Sequence, residues 1–109
     1  MPLTTIESYD VKFLQILNVK GEADSALLPP LKDSDYKRLY ESLLLARAFN
    51  HTAISLQREG RIGTYASILG QEASQIGSAL AFEDADWLIP SFRETGVFIA
   101  KGYPLWMLY

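Results

Sequence analysis

Arginines and glycines are concentrated in the stretch from Arg58 to Arg93, between segments with helical patterns. Gly60, Gly63 and Gly70 permit a positive φ or a close approach of another chain to the backbone. Arginine side chains beside such a backbone can bind an anionic group through paired N–H donors. The alternative is a glycine-rich connection between two helices, with its arginines in solvent.

Arg93 is the most specific candidate in this stretch. It lies at the predicted start of a helix, directly after Ser91 and Phe92. Free N–H groups and the positive end of the helix dipole can receive an anion there, and the guanidinium adds a forked pair of donors. The alternative is an ion pair with a nearby carboxylate. The available carboxylates are those of Glu72, Asp86 and Glu94.

Apart from anion binding, the sequence offers few candidate residues for catalysis or metal binding. His51 is the only histidine and has no positioned partners on its predicted helix, so a structural or surface role is favoured. There is no cysteine, no cluster with metal-ligand spacing and no common glycine-rich phosphate-binding motif. The acidic run over 83–86 is typical of a solvated helix end. We therefore expect no metal ligands within this chain.

Composition favours an ordinary globular protein. A chain of 109 residues with 49% hydrophobic and 21% charged residues fits one domain. The net charge of -3 argues against nucleic-acid binding, which needs concentrated positive charge. No apolar run reaches the ~18 residues of a membrane span, and the first ten residues resemble neither a signal nor a transit peptide. We therefore predict a cytoplasmic protein with neither nucleic acid nor membrane as a partner.

A long helix is predicted to begin near Ser34 and to end at Gly60, since glycine suits the position after a helix C-terminus. Asp33 or Ser34 would cap its N-terminus. Apolar residues recur in steps of three and four, and the leucines at 43–45 extend the apolar surface around most of the circumference. A helix that is apolar on all sides is typical of one buried in a larger body.

Two shorter helices are predicted to follow. The second would span 70–82, with a buried stripe of small and apolar residues. Its members are Ala73, Ile76, Gly77, Leu80 and Ala81. The third would span 93–101, with Ser91 as its cap and Gly102 at its end. A further helical turn would start at Pro104, because proline suits the first helical position.

The N-terminal residues 1–32 are predicted to be an arm and linker, and residues 33–109 to form the helical portion. Within the arm, 13–17 could form a short strand that pairs across a turn with 22–24. The fold class is thus mainly α, with a short N-terminal strand or hairpin. The last five residues, 105–109, are all apolar and lie one turn into a helix. We therefore expect an N-terminal fragment or a truncated product.

Several ordered motifs between residues 34 and 109 form a specific pattern. They are Arg47-Ala48-Phe49, Gln57-Arg58-Glu59-Gly60-Arg61, Gly70-Gln71-Glu72-Ala73, Trp87-Leu88-Ile89-Pro90-Ser91-Phe92-Arg93-Glu94 and Gly102-Tyr103-Pro104-Leu105. This pattern resembles the N-terminal portion of the alpha subunit of thiamine-diphosphate-dependent 2-oxo acid dehydrogenases. These enzymes are the decarboxylating components of the pyruvate and branched-chain complexes.

The resemblance implies an α/β thiamine-diphosphate-binding fold, of which this chain would be the N-terminal part. Such an alpha subunit binds the diphosphate half of thiamine diphosphate and Mg²⁺. A beta subunit, in an α2β2 heterotetramer, binds the other half of the cofactor. The reaction implied is the oxidative decarboxylation of a 2-oxo acid, with transfer of the acyl group to a lipoyl-bearing acyltransferase core. Pyruvate is favoured as the substrate, and a branched-chain 2-oxo acid is the alternative.

The resemblance also assigns residues. The family's aromatic–arginine pair falls on Phe92 and Arg93, which would contact the cofactor, and Tyr65 and Ser91 would lie on the substrate side. The family often has tyrosine where Phe92 stands, so the ring is kept and the hydroxyl is lost. The family's Gly-Asp-Gly metal motif and histidine-bearing loop are absent here. Metal ligands and catalytic residues are therefore expected outside this chain, which would be inactive alone.

A different class of function is also open. A short chain with apolar helices could be a non-catalytic helical interaction module that binds a partner subunit. Such a module would fold without affinity for thiamine diphosphate.

Overall fold

The computed structural model describes residues 3–83 and 85–109. The first two residues of the predicted arm and Asp84 of the acidic run lie outside the described residues. The chain divides into two compact units, Met1–Pro30 and Leu31–Tyr109.

The N-terminal unit is built around a turn closed by Asn18. The Asn18 side-chain oxygen accepts the backbone N–H groups of Lys20 and Glu22, at 2.9 Å and 3.0 Å. On either side of the turn, Leu17 and Ala23 form an isolated antiparallel bridge. The predicted strand or hairpin is therefore not confirmed in the described residues, where only this bridge is present. A two-stranded hairpin without a packed face is marginal in water, and Phe13 is 86% exposed.

The second unit begins with helix α1, Asp33–Arg58. The predicted cap at Asp33 or Ser34 is wrong, because the helix starts one residue earlier and its N-cap is Lys32. The Asp35 carboxylate instead accepts the Lys32 backbone N–H at 3.0 Å. A carboxylate in the first turn both satisfies a free donor and suits the helix dipole.

The predicted end of α1 at Gly60 is confirmed. Gly60 has a φ of 69°, and its N–H donates to the Gln57 carbonyl at 3.0 Å. The next N–H, of Arg61, donates to the Leu56 carbonyl at 2.9 Å. These two bonds define a Schellman motif, which satisfies carbonyls that the helix end would leave free. A side chain at position 60 would be strained at this φ.

Helix α1 buries one face and leaves much of the remainder exposed. The buried residues are Ala46, Phe49, Asn50 and Ala53. Of the three adjacent leucines, Leu44 and Leu45 remain about half exposed. The apolar circumference that the sequence predicts is therefore only partly covered within this chain.

Helix α2, Glu72–Ala81, is shorter than predicted and has a different buried face. The buried residues are Glu72, Gln75, Ile76 and Ala79. The predicted stripe is wrong except at Ile76 and at the partly buried Leu80, because its other members are exposed. Two polar side chains lie in the buried face because they bond backbone groups of neighbouring segments: Glu72 bonds the Gly70 N–H, and Gln75 bonds the Arg93 carbonyl and the Gly96 N–H.

Helix α3 is Thr95–Ala100, and the predicted start at Arg93 with a Ser91 cap is wrong. The Gln75 side chain explains the later start. Its Nε2 donates to the Arg93 carbonyl at 2.9 Å, and its Oε1 accepts the Gly96 N–H at 2.9 Å. Backbone groups that an earlier first turn would use are therefore already bonded to α2.

Helix α3 ends in a second Schellman motif, in which the N–H groups of Gly102 and Tyr103 donate to the carbonyls of Ile99 and Phe98, at 3.0 Å and 2.9 Å. A single turn of 3₁₀-helix follows. Gly102, with a φ of 77°, closes α3 as predicted. The turn Leu105–Met107 follows Pro104. The Tyr109 ring stacks on Phe49, with 4.5 Å between ring centroids.

The core lies where the three helices pack against one another. Its buried residues are Ala46, Phe49, Ala53, Ile68, Ile76 and Ile99. Ile68 comes from the connection between α1 and α2, so this connection is part of the core. The mainly α class is confirmed.

We predict that Gly96→Ala destabilises the fold whereas Gly77→Ala stabilises it. A Cβ at position 96 would lie 2.7 Å from Gln75 Oε1 and 3.1 Å from Gln75 Cβ. The Gln75 side chain would have to leave its bonds, which should lower the free energy of unfolding by about 1–3 kcal/mol. Gly77 is also helical, but a Cβ there would meet nothing within 4 Å. Replacing it should therefore raise stability by about 0.4–1 kcal/mol.

Chemical denaturation of both variants beside the unchanged chain measures the difference. Equal effects at the two positions would show that Gln75 does not restrict position 96.

Candidate functional site

The buried side chain of Asn50 holds the middle of the connection between α1 and α2. Asn50 is 2% exposed, and its Oδ1 accepts three hydrogen bonds. The donors are the Ser67 hydroxyl at 2.9 Å, the Ile68 N–H at 3.0 Å and the Tyr65 hydroxyl at 3.3 Å. A buried backbone N–H needs a partner, and Ile68 is fully buried. Asn50 therefore fixes the course of this connection against α1.

Tyr65 is held by contacts of its backbone and of its ring. Its backbone N–H donates to the Gln57 side chain of α1. Its half-buried ring meets Phe49 edge-on, with 6.1 Å between centroids. Burial raises the pKa of the Tyr65 phenol above its ordinary value. The hydroxyl is therefore a neutral donor and acceptor at neutral pH.

Arg93 is fixed by two contacts to the chain while its side chain stays exposed. Its Nη1 donates to the Ser67 carbonyl at 2.9 Å. Its own carbonyl accepts from Gln75 Nε2 at 2.9 Å, and its Cζ lies 5.2 Å from the centroid of the Phe92 ring. A guanidinium has five N–H donors. One of them anchors the group here, and the others can serve an anion.

The competing interpretation of Arg93 as an ion-pair residue finds no support in the described part of the chain. The ion pairs there join Arg47 to Glu72 and Arg61 to Glu59. The Glu94 carboxylate is close to Arg93, but it accepts the backbone N–H at 3.2 Å. The side-chain charge of Arg93 is thus unpaired within residues 3–83 and 85–109.

The predicted helix-terminus setting of Arg93 is wrong. Helix α3 begins two residues later, and two of the N–H groups in its first turn are already bonded. The Gly96 N–H donates to Gln75, and the Val97 N–H donates to the Glu94 carbonyl at 3.0 Å. An anion at Arg93 would be bound by the guanidinium rather than by the helix end.

The four residues that the sequence assigns to the site are not all brought together. Tyr65 and Arg93 share one hydrogen-bonded network, through Asn50 and Ser67. Phe92 lies against Arg93 and is 72% exposed. Ser91 is exposed, and its side chain makes no hydrogen bond within the described residues.

Glu72 anchors the other end of the same connection. Its carboxylate accepts from the Arg47 side chain and from the Gly70 N–H, the latter at 2.8 Å. The hydrogen bond from Arg47 is the main cause that holds the pKa of Glu72 below its ordinary value, although burial opposes it. Gly70 has a φ of 85° and begins the turn into α2. The Arg47–Glu72 ion pair therefore holds the start of α2 against α1.

Sequence reasoning missed the structural roles of Asn50, Gln75 and Glu72. Asn50 falls on a buried step of the α1 pattern, where a polar residue signals a hydrogen-bonding role. Glu72 and Gln75 are three residues apart and share a helix face with Ile76. A pattern based on apolar residues alone treats them as exposed.

The described residues lack two kinds of feature. They contain no group of three or more His, Cys, Asp or Glu side chains that could hold a metal ion. They also contain no helix long and apolar enough to cross a membrane.

Comparison with known proteins identifies the class first. The family model described as Dehydrogenase E1 component matches residues 40–108, which include α1 from Tyr40 onward, the Asn50 network and Arg93. The chain belongs to this dehydrogenase E1 family, and the resemblance inferred from the sequence is confirmed.

The individual relatives are alpha subunits of two kinds of dehydrogenase. The chain is 40% identical over 97 residues to the pyruvate dehydrogenase E1 component subunit alpha of Bacillus cereus, covering 88% of this chain and 26% of the relative. For the protein of the same name in Bacillus subtilis, the identity is 41% over 96 residues, covering 87% and 26%. For the 3-methyl-2-oxobutanoate dehydrogenase subunit alpha of Mycobacterium tuberculosis, it is 31% over 105 residues, covering 94% and 29%.

The chain thus spans about a quarter of the length of the curated relatives that it matches. No solved structure matches it significantly.

We predict that Glu72→Gln lowers the free energy of unfolding by about 1 kcal/mol near neutral pH, because a buried, charge-assisted acceptor is lost. The pKa of Glu72 is lower in the folded chain than in the unfolded chain. Its contribution is therefore present above the unfolded pKa and is lost as the pH falls through the folded pKa. The variant and the unchanged chain should converge in acid.

The matched control for this prediction is Glu59→Gln, which removes the exposed pair with Arg61. Little change is expected, because exposed ion pairs contribute little. Denaturation curves at neutral pH and in acid measure both variants. A difference for Glu72→Gln that persists unchanged in acid would contradict the assigned role of its carboxylate.

Proposed function

We propose that the chain forms the N-terminal part of the alpha subunit of a thiamine-diphosphate-dependent 2-oxo acid dehydrogenase. The complete enzyme would decarboxylate pyruvate oxidatively and pass the acetyl group to a lipoyl group. Membership of the dehydrogenase E1 family supports the class. Relatives named pyruvate dehydrogenase, at 40% and 41% identity, support the substrate.

One observation carries the role of this chain in such an enzyme: the anchored and exposed guanidinium of Arg93. Nη1 is fixed on the Ser67 carbonyl, and the backbone is fixed by Gln75. Guanidinium groups bind phosphate oxygens through paired N–H donors. The residues present therefore fit the diphosphate of the cofactor, which Arg93 would bind and orient.

The neighbouring residues have narrower proposed roles. Phe92 would border the cofactor with its exposed ring, which the cation of Arg93 already faces. Tyr65 and Ser91 would lie on the substrate side of the site. Tyr65 would act as a neutral wall and hydrogen-bonding group, since burial raises its pKa. Thiamine diphosphate, when bound, supplies the electron sink for decarboxylation, while the protein supplies orientation and electrostatics.

The assembly around this chain is also part of the proposal. Mg²⁺ would accompany the cofactor, with its ligands outside these residues. The partners would be a beta subunit, in an α2β2 heterotetramer, and the lipoyl-bearing acyltransferase core. Residues 33–109 would belong to the thiamine-diphosphate-binding domain, with 1–32 as its arm and linker. The cytoplasmic location expected from the sequence stays a prediction.

We predict that Arg93→Ala, in the complete alpha subunit that contains these residues, raises the Kd for thiamine diphosphate at least about tenfold. The expected reason is the loss of charge-assisted bonds to the diphosphate. Calorimetric titration with Mg²⁺ present measures the affinity. The matched control is Arg61→Ala, which removes the same charge from an exposed residue paired with Glu59 at 3.6 Å.

Only Arg93→Ala should weaken binding. Equal losses in both variants would indicate general electrostatics. Unchanged affinity in Arg93→Ala would make Arg93 structural and remove the observation on which the proposal depends. A folded assembly with no cofactor affinity at all would favour the interaction module instead.

We predict that the assembled enzyme turns over pyruvate faster than 2-oxoisovalerate. The higher identities to relatives named for pyruvate favour this order over the 31% relative named for 3-methyl-2-oxobutanoate. Comparison of kcat/KM for the two 2-oxo acids measures it. A larger kcat/KM for 2-oxoisovalerate would move the assignment to the branched-chain enzyme.

A further inference from the structure

The guanidinium of Arg93 depends on a carbonyl that is itself held from the core. Nη1 of Arg93 donates to the Ser67 carbonyl at 2.9 Å. The hydroxyl of Ser67 and the following N–H, of Ile68, both donate to Asn50 Oδ1, at 2.9 Å and 3.0 Å. The carbonyl thus belongs to a peptide unit with a hydrogen bond to Asn50 at its N–H end. Its direction is set by α1.

The backbone of Arg93 depends on a second buried side chain. Gln75 is 8% exposed and bonds to both sides of Glu94: to the Arg93 carbonyl and to the Gly96 N–H. Gly96 lacks the Cβ that would collide with Gln75. This fit leaves the Gln75 amide little freedom to move, so α2 determines where the Arg93 backbone lies.

We propose that Asn50 and Gln75 are positioning residues for cofactor binding: Asn50 directs the Arg93 guanidinium through Ser67, and Gln75 places its backbone. This inference rests on the proposed function of Arg93. Neither residue needs to touch the cofactor. A long, exposed arginine otherwise loses side-chain entropy on binding. The bonds to the Ser67 carbonyl and from Gln75 fix the guanidinium and the backbone of Arg93, which lowers this entropy loss. The remaining N–H groups stay available for a diphosphate.

The test is a double-mutant cycle on the Kd for thiamine diphosphate, with Mg²⁺ present, in the complete subunit assembled with its partner. Asn50→Leu and Gln75→Leu each remove the hydrogen bonds while keeping a similar side-chain volume. Each should raise the Kd about five- to tenfold in the natural background, the equivalent of one lost hydrogen bond. In the Arg93→Ala background, each should change the Kd by less than about twofold, because the group being positioned is gone.

A purely structural role gives a different result. It would lower stability and raise the Kd by the same factor whether or not Arg93 is present. Thr52→Val is the matched control on α1, since within the described residues the Thr52 hydroxyl bonds only to its own helix, at the Ala48 carbonyl, at 3.0 Å. It should leave the Kd unchanged. If Asn50→Leu does not assemble, the cycle with Gln75→Leu decides the matter.

Two failures are distinguishable. An unchanged Kd in Arg93→Ala overturns the proposed function itself. A raised Kd in Arg93→Ala, together with unchanged affinity in Asn50→Leu and Gln75→Leu, overturns only the positioning. Inorganic pyrophosphate, used as a competitor of thiamine diphosphate, adds a second readout. The inhibition constant of pyrophosphate should rise in the same variants, because the diphosphate is the only group that it shares with the cofactor.

Discussion

The structure of the helical unit depends on one side-chain oxygen, Asn50 Oδ1, which takes three donors from the connection between α1 and α2. That connection carries Ile68 into the core, where it is fully buried. Burying a loop side chain also buries its backbone N–H, and an N–H without a partner would cost about as much as the apolar burial gains. The amide of Asn50 removes this conflict.

The same physical need explains where the sequence was informative and where it was not. The extent of α1 follows from local chemistry, because periodicity and Gly60 act over a few residues. The buried face of α2 and the start of α3 do not, since both are set by side chains that bond to groups far along the chain. Gln75 bonds to Arg93 and Gly96, and Glu72 bonds to Arg47. A hydrophobic pattern classes such polar residues as exposed, so it placed the buried stripe one step away.

The surroundings of the candidate site residues were beyond the sequence for the same reason. Arg93 and Phe92 could be selected because arginine, aromatic ring and family motif coincide in the sequence. The geometry around Arg93 could not, since the helix starts two residues later and the N–H groups of Gly96 and Val97 in its first turn are already bonded. An anion proposed to bind at Arg93 would therefore be held by the guanidinium rather than by backbone N–H groups of the helix end. The orientation of a guanidinium depends on the acceptor that it contacts. Here that acceptor is the Ser67 carbonyl, whose own position is fixed by Asn50.

The segment that leads into Arg93 shows what such a site still requires. Trp87 is 89% exposed, Ile89 is 90% exposed and Phe92 is 72% exposed. Large apolar side chains exposed so close together are typical of surfaces that bind a partner or a ligand. An anchored cation beside them has its charge in water, where an ion pair with a diphosphate would be weak. Covering the apolar side chains would exclude that water and strengthen the pairing. In the proposed enzyme, a second subunit over this segment would therefore increase stability and cofactor affinity by the same contact.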